Sequence, residues 1–485
     1  RWPLPCGEPR TLTDTTETFS RRGWPWIAHI VTGHVLSMNR EGLIGDDVAD
    51  AIVSAIGRVR EHVAEHDDLV SLVRGFEGVL EAQLTPDVAA AGRVGRSIVD
   101  VSATLARLLA MDRLFDLDLY AGRCEAAALR LAETNLVTLM PVTMDGFVSQ
   151  PTSFAHWIGA LIEQLGRARD DLYAALERVD ASAMGANALA SSGFAVDRAS
   201  LATELGFNRI VESTFDAVSS LDWISKAASA IDAVLSPLRR FSEEVFTWTR
   251  IEPSSFRIGD WLMDTASGIP QWSGAFGLVR LNQELEHVAF QAHVLAHEAS
   301  SVAYGPQLAS LGRIAYGLDN IAGEAIGLAD QVAHFFEEGL VANAAWFSNR
   351  AGRGFSTSSD LADFLMIEEK LTPSEAEQIA ALTIARARDQ GLEAAGITVD
   401  LIDGAAMMVI GRELKVEFEA ISRYLAPRRF IERRTAVGAP SPESIRVFVA
   451  HRWQDHNERD RLMAERRSRL QQSVAALLQQ ATAGA

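Results

Sequence analysis

The sequence predicts an all-α protein whose long helices pack into a central bundle, and three observations carry that prediction. Prolines are few: 15 occur in 485 residues, with none between Pro151 and Pro237 or between Pro306 and Pro373, so long helices meet no interruption there. Apolar residues recur at helical spacing. Period-2 alternation is scarce, which leaves few candidates for strands.

Taken along the chain, Trp157, Leu161, Leu165, Ala168, Leu172, Ala175 and Val179 follow steps of three and four, with EQ, RARDD and ER between them. That is an amphipathic stripe, and at 1.5 Å per residue it predicts a rod of roughly 35–40 Å. The stretches 282–304 and 313–346 read the same way. Near residue 350 the small polar run SNRAGRGFSTSSD marks a loop or linker. In LTPSEAEQIAAL, Thr372 suits an N-cap, Pro373 the first helical position and Glu375 the closing residue of a capping box. A smaller helical domain is therefore expected from about 355. The tail from Asn457 reads as a terminal helix that frays.

A 48% hydrophobic, 22% charged composition is globular, and the length suggests two or three domains. A net charge of −19 argues against a nucleic-acid footprint, which needs a basic patch. Arg428, Arg429, Arg433 and Arg434 cluster around Glu432 and read as a solvated helix end. Cys6 and Cys124 are too far apart in sequence to suggest a disulfide framework or a metal spacing. RWPLPCGEPR has no apolar leader region and no run of 18 apolar residues occurs, so a soluble, cytoplasmic protein without a membrane partner is expected.

Chemical motifs are weak one by one. HVLAHE puts His293 and His297 four apart beside Glu298, but the HExxH order is missing and no third ligand is evident. GRVGRS (92–97) lacks phosphate-loop spacing, and neither a GxSxG elbow nor a Cys–His pair stands out. No metal or cofactor is expected.

Seven segments carry more in combination. HVLSMNREGLI (34–44), GRSIVDVSATLARLL, MPVTMDGFVSQPTSFAH, LGFNRIVESTFDAVSSLDW, SVAYG, and SSDLADFL followed by RTAVGAPSPESI occur in this order. Together they resemble the argininosuccinate lyase family of the aspartase/fumarase superfamily, almost end to end. The resemblance implies three helical domains, over 1–103, 104–354 and 355–485. The middle one would supply the core of a homotetramer, with active sites shared between subunits. It also implies a small-molecule substrate and an anti β-elimination, in which a base takes the proton beside a carboxylate and an acid assists the leaving group. The developing charge needs preorganised donors, and a Ser base needs a nearby cation.

The family's loop pattern G-S-S-x-M-P-x-K-x-N falls on TASGIPQWSG. Pro270 keeps the register, Ala266 stands at the first Ser, Ser267 at the second, Trp272 at the Lys and Gly274 at the Asn. Asp145 stands where the family keeps a His, Met144 at its Thr and Phe147 at its Gln. Arg96, Ser97 and Asp100 match, whereas Ile98 and Val99 replace Arg and Asn. Tyr304 matches, followed by Gly305. These changes share a direction, from carboxylate-gripping groups to apolar and aromatic ones. They suggest a pocket remodelled for a larger, less charged ligand.

The expected function is thus a lyase of argininosuccinate lyase type that does not use argininosuccinate. It would catalyse a C–N or C–O elimination, or a related enolate-type cyclisation or isomerisation, in specialised metabolism. The alternatives are an inactive partner subunit of the same fold and a ligand-binding protein without turnover. Asp145, Ser267 and Tyr304 are the expected catalytic residues, with Asp145 holding its proton more tightly through desolvation. Arg96, Ser97, Val99, Met144, Phe147, Gln150 and Trp272 are expected to bind substrate. His34 and His156 are as readily structural as catalytic.

Overall fold

The computed structural model describes residues 18–59, 64–265, 269 and 273–483. The chain opens with α1 (Phe19–Arg40), α2 (Asp46–Val59), α3 (Leu69–Glu81) and α4 (Pro86–Ala91). Then α5 (Ile98–Thr134) runs 37 residues, about 55 Å at 1.5 Å per residue. It starts sharply because Ser97 and Asp100 form a reciprocal capping box. Its apolar residues lie on nearly every face, and Leu105, Leu108, Leu114 and Leu117 are all buried, as befits the central rod of a bundle.

Four two-residue strands follow. β1 (Leu139–Met140) pairs antiparallel with β4 (Thr152–Ser153), and β2 (Thr143–Met144) with β3 (Phe147–Val148). Ser153 caps α6 (Phe154–Val179), which carries the stripe read from Trp157 to Val179. Next come α7 (Arg198–Glu204), α8 (Thr214–Ser219) and α9 (Asp222–Ile251). β5 (Phe256–Ile258), β6 (Asp264–Thr265) and β7 (Ser273–Gly274) lead to α10 (Phe276–Ser300) and α11 (Leu308–His334). A π-helical turn over Phe335–Gly339 and β8 (Leu340–Ala342) then carry the chain to α12 (Ala344–Arg350).

α5, α6, α9, α10 and α11 form the bundle, each reversing the direction of the one before. Arg107 near the start of α5 donates to the carbonyl of Arg178 at the end of α6 (3.2 Å). Arg107 also lies over Trp223 at the start of α9, 4.8 Å from the ring. Asn282 early in α10 donates to Glu243 late in α9 (2.9 Å). The bundle therefore has two ends. The first holds the start of α5, the end of α6, the start of α9 and the α10–α11 turn. The second holds the end of α5, the starts of α6 and α10, and both small hairpins.

The expected helix over 313–346 stops early. Val341 and its neighbours leave the helix to pair with β5, antiparallel, with Ile258 opposite Leu340. This long-range pairing overrides local propensity. The expected helix over 282–304 is shifted to Phe276–Ser300.

α13 (Ser359–Ile367), α14 (Pro373–Asp389), α15 (Val399–Ile410), α16 (Phe418–Leu425) and α17 (Pro427–Glu432) follow. Phe355 to Leu425 enclose a core of their own. The Thr372–Glu375 capping box forms as read. The basic cluster is engaged in ion pairs, Arg434 with Asp360 (2.7 Å) and Arg429 with Glu432 (2.8 Å). α18 (Pro442–Ala483) is no fraying tail over most of its length. It returns along α5 and α6 for 42 residues, and its Ile445, Val449, Met463, Leu470 and Leu477 join the bundle core. An interhelical ion network holds it. Arg169 of α6, fully buried, donates to Asp118 and Glu125 of α5 (2.9 Å each) and to Asp460 of α18 (2.7 Å), beside His456.

Among the described residues, no helix is long and apolar enough to cross a membrane.

Candidate functional site

The first end of the bundle is built around Asp100. Its buried carboxylate accepts from the backbone N–H groups of Ser97 (2.9 Å), Gly185 (3.1 Å) and Asn187 (2.9 Å). One side chain thus fixes both the start of α5 and the loop after α6. That loop is bent, with Gly185 at φ 79° and Asn187 at φ 52°; Gly and Asn tolerate this left-handed backbone best. Burial pushes the Asp100 carboxyl up to about 6, against the pull of those N–H groups and of Arg96.

The linkage has a definite sign. Between pH about 4 and about 6 the folded chain keeps a proton that the unfolded chain has released, so rising pH across that window removes stability. Relative to Asp100→Asn, the wild-type protein is expected to lose thermal stability as pH rises from 4 to 6. A melting-temperature difference that is flat over that range would contradict this.

Arg96 and Ser97, expected to touch substrate, are each engaged within their own chain. The Arg96 guanidinium is buried, pairs with Glu77 (2.5 Å) and donates to the Gly92 carbonyl (3.0 Å). The Ser97 hydroxyl accepts from the Val99 N–H (3.1 Å) as a helix cap. Their visible role is to set the start of α5, where Val99 stays half-buried. His34 lies beside them. It is fully buried, donates from Nε2 to the Val94 carbonyl (2.7 Å), and is pushed down to about 3 by burial and by Arg96. It is therefore neutral near pH 7. Tyr304 belongs to this end too. It stands in the α10–α11 turn, 89% exposed, and stacks on Phe215 of α8 at 6.4 Å between centroids.

The second end carries the remaining residues. Asp145 (φ 52°) and Gly146 (φ 82°) form the two-residue turn of the β2–β3 hairpin, and such turns require positive φ. Met144 pairs directly with Phe147, so the two side chains share one face. That face is open, with Met144 68% and Phe147 78% exposed. Among the described residues, no element covers this face of the hairpin. The hairpin is nevertheless fixed at its base. Val148 packs against Gly354, where a Cβ would come within 2.9 Å of its methyl group. Gln150 Nε2 donates to the Ser359 hydroxyl (3.2 Å). His156 follows on α6, with Nδ1 hydrogen-bonded to the Thr152 hydroxyl (2.7 Å), and burial lowers its pKa.

Ser267 and Trp272, with Ala266 and Pro270, lie outside the described residues. The residues flanking them pair as β6 and β7, Thr265 opposite Ser273.

One chain therefore separates the expected site into two groups. Arg96, Ser97, Val99 and Tyr304 lie at the first end. Met144, Asp145, Phe147 and Gln150 lie at the second, roughly 50 Å away along α5. Sequence reasoning noted Asp100 only as a family match and passed over Glu77, Phe215 and the Gly185–Asn187 loop. The run MGANALASSG was a readable turn signal. Phe215 carried no signal, because its partner Tyr304 is distant in sequence. Among the described residues, no group of three His, Cys, Asp or Glu side chains is arranged to hold a metal ion.

Comparison with known proteins adds a lineage to this geometry. A family model described as Lyase matches residues 29–258. Argininosuccinate lyase 2 of Agrobacterium fabrum is 28% identical over 435 residues, covering 86% of this chain and 84% of that protein. Argininosuccinate lyase of Methanosarcina mazei is 26% identical over 462 residues, covering 93% and 91%. Among solved structures, an EDDS lyase in complex with formate superposes with a TM-score of 0.84 at 22% identity, covering 98% of this chain and 94% of that one. The 3-carboxy-cis,cis-muconate lactonizing enzyme of Pseudomonas putida gives a TM-score of 0.69 at 15% identity, covering 91% and 95%.

Proposed function

Because the chain is an argininosuccinate lyase-like member of the aspartase/fumarase superfamily, we propose that it catalyses an elimination, or a related enolate-type cyclisation or isomerisation, on a substrate other than argininosuccinate. The observation that carries this reading is the β2–β3 hairpin, which presents a carboxylate at a rigid turn between two open apolar side chains. Three large apolar residues in six, Met144, Phe147 and Val148, stand exposed there. A patch of that kind marks a surface built to be covered by ligand or partner.

The site is completed by other copies of the chain. The first end of one copy supplies Val99 and Tyr304, shaped by Arg96 and Ser97, and the second end of another supplies Met144, Asp145, Phe147 and Gln150. Leu119 on α5 and Phe290 and Val294 on α10 are exposed along the rods, which supports a homotetramer that buries them. Once covered, Asp145 stands beside Met144 and Phe147 as a positioned carboxylate within reach of the bound substrate. The base removes the proton beside an electron-withdrawing group. The electron pair forms the new double bond as the C–N or C–O bond breaks, and an acid protonates the leaving group. Asp145, Ser267 and Tyr304 are the candidates for these two roles, with Trp272 lining the site.

On an accepted substrate, Asp145→Asn is expected to lower kcat by about 10²–10⁴-fold while leaving the assembly and its melting temperature unchanged. The side chain is exposed and makes no hydrogen bond to the described residues of its own chain, so little stability is at stake. Full activity in this variant would remove Asp145 from the mechanism.

A further inference from the structure

We infer that the substrate carries an aromatic ring, which rests on the ring pair Tyr304–Phe215 at the first end of the bundle. This rests on the proposed function above and narrows its substrate class.

The pair is built as a platform. The two rings are inclined by only 28°, with centroids 6.4 Å apart. Tyr304 is 89% and Phe215 42% exposed, so ring surface is open. Both backbones are held. α8 is capped by Ser213, whose hydroxyl accepts from the Asp216 N–H (3.2 Å), and Ser220 donates to the Asp216 carboxylate (2.6 Å). Ala217, Val218 and Ser219 bury the other side of that turn, just before Trp223. Tyr304 is followed by Gly305 at φ 121°, a conformation open in practice only to glycine, so the chain bends away immediately after the ring.

Offset, near-parallel rings add a third ring favourably, and a flat ligand loses little entropy on stacking. The residues brought from the second end of another copy have matching chemistry. Phe147 offers a further ring and Met144 a polarisable thioether, which favours ring contacts. Val99 at the start of α5 replaces a polar family position with an apolar one. A compact dicarboxylate uses none of these surfaces.

The test measures binding to the assembled protein by calorimetry, with trans-cinnamate as the aromatic probe and fumarate as the flat, non-aromatic one. Cinnamate is expected to bind at least tenfold more tightly than fumarate. Phe215→Ala is expected to weaken cinnamate roughly 2–10-fold and leave fumarate unchanged, with Phe215→Tyr restoring the affinity. Equal binding of the two acids, or cinnamate binding indifferent to Phe215→Ala, would overturn the inference. So would dissociation of the oligomer in Phe215→Ala by light scattering, which would make the ring pair a contact between copies. The two proposals fail separately. Cinnamate binding that depends on Phe215, with full turnover in Asp145→Asn, keeps the platform and removes the catalytic reading. Lost turnover in Asp145→Asn, with cinnamate indifferent to Phe215, does the reverse.

Discussion

Incubated with argininosuccinate, the protein is expected to release no fumarate at an ordinary turnover rate. The family resemblance places Ala266 at the Ser base and Trp272 at the Lys that steadies the developing dianion. Loss of one such preorganised group typically costs about 10²–10³-fold in rate, and two in one site leave little catalysis. The matching cation at the first end gives no help, because Arg96 is buried and already paired with Glu77. A substrate with several carboxylates would meet Met144, Phe147 and Val99 instead, and unpaired charge in such surroundings is costly. Absorbance at 240 nm reports fumarate directly. Its appearance at ordinary rates would mean that Ser267 or another group has taken over as base, and that the site is not remodelled.

The second large effect concerns the fold. Arg169→Ala is expected to destabilise the packing of α18 on the bundle by about 3–5 kcal/mol. The guanidinium lies over Gly122, where a Cβ would come within 3.0 Å of its central carbon. It satisfies Asp118 with two bonds and Glu125 with one. Glu125 is fully buried. Burial would push its carboxyl up, but His456, Arg169 and Arg459 outweigh that push and hold it low. Removing Arg169 therefore leaves two buried carboxylates without their main cation. Hydrogen exchange over 442–483 should accelerate sharply, together with an earlier denaturation midpoint. Protection of that helix at the wild-type level would show that its apolar contacts alone hold it.

These residues also show what the sequence could reveal. The stripe from Trp157 to Val179 became α6 at nearly the expected limits, because apolar spacing reports a buried face directly. Thr372, Pro373 and Glu375 gave the start of α14 because capping is local chemistry. Arg169 was hidden. It sits in RARDD, which reads as a solvated face, and its partners lie 51, 44 and 291 positions away. The end of α11 was hidden for the same reason, since β8 pairs with β5, which lies far earlier in the chain. Asp145 shows a subtler limit. Its identity and neighbours were legible, and Asp-Gly is a readable hairpin turn, yet the desolvation expected there depends on what covers the hairpin. Within one chain the bundle holds Asp145 and Tyr304 at opposite ends.

A distance measurement between copies tests that separation most directly. In a Cys6→Ser background, with Cys124 buried, one preparation carries a nitroxide at Val148→Cys and a second at Ser301→Cys. Mixed and reassembled, singly labelled copies should give a spin–spin distance well below the roughly 50 Å that separates the two ends of one chain. Labels that stay farther apart than that, or a protein that remains monomeric at the mixing concentration, would contradict a site assembled from opposite ends of different copies.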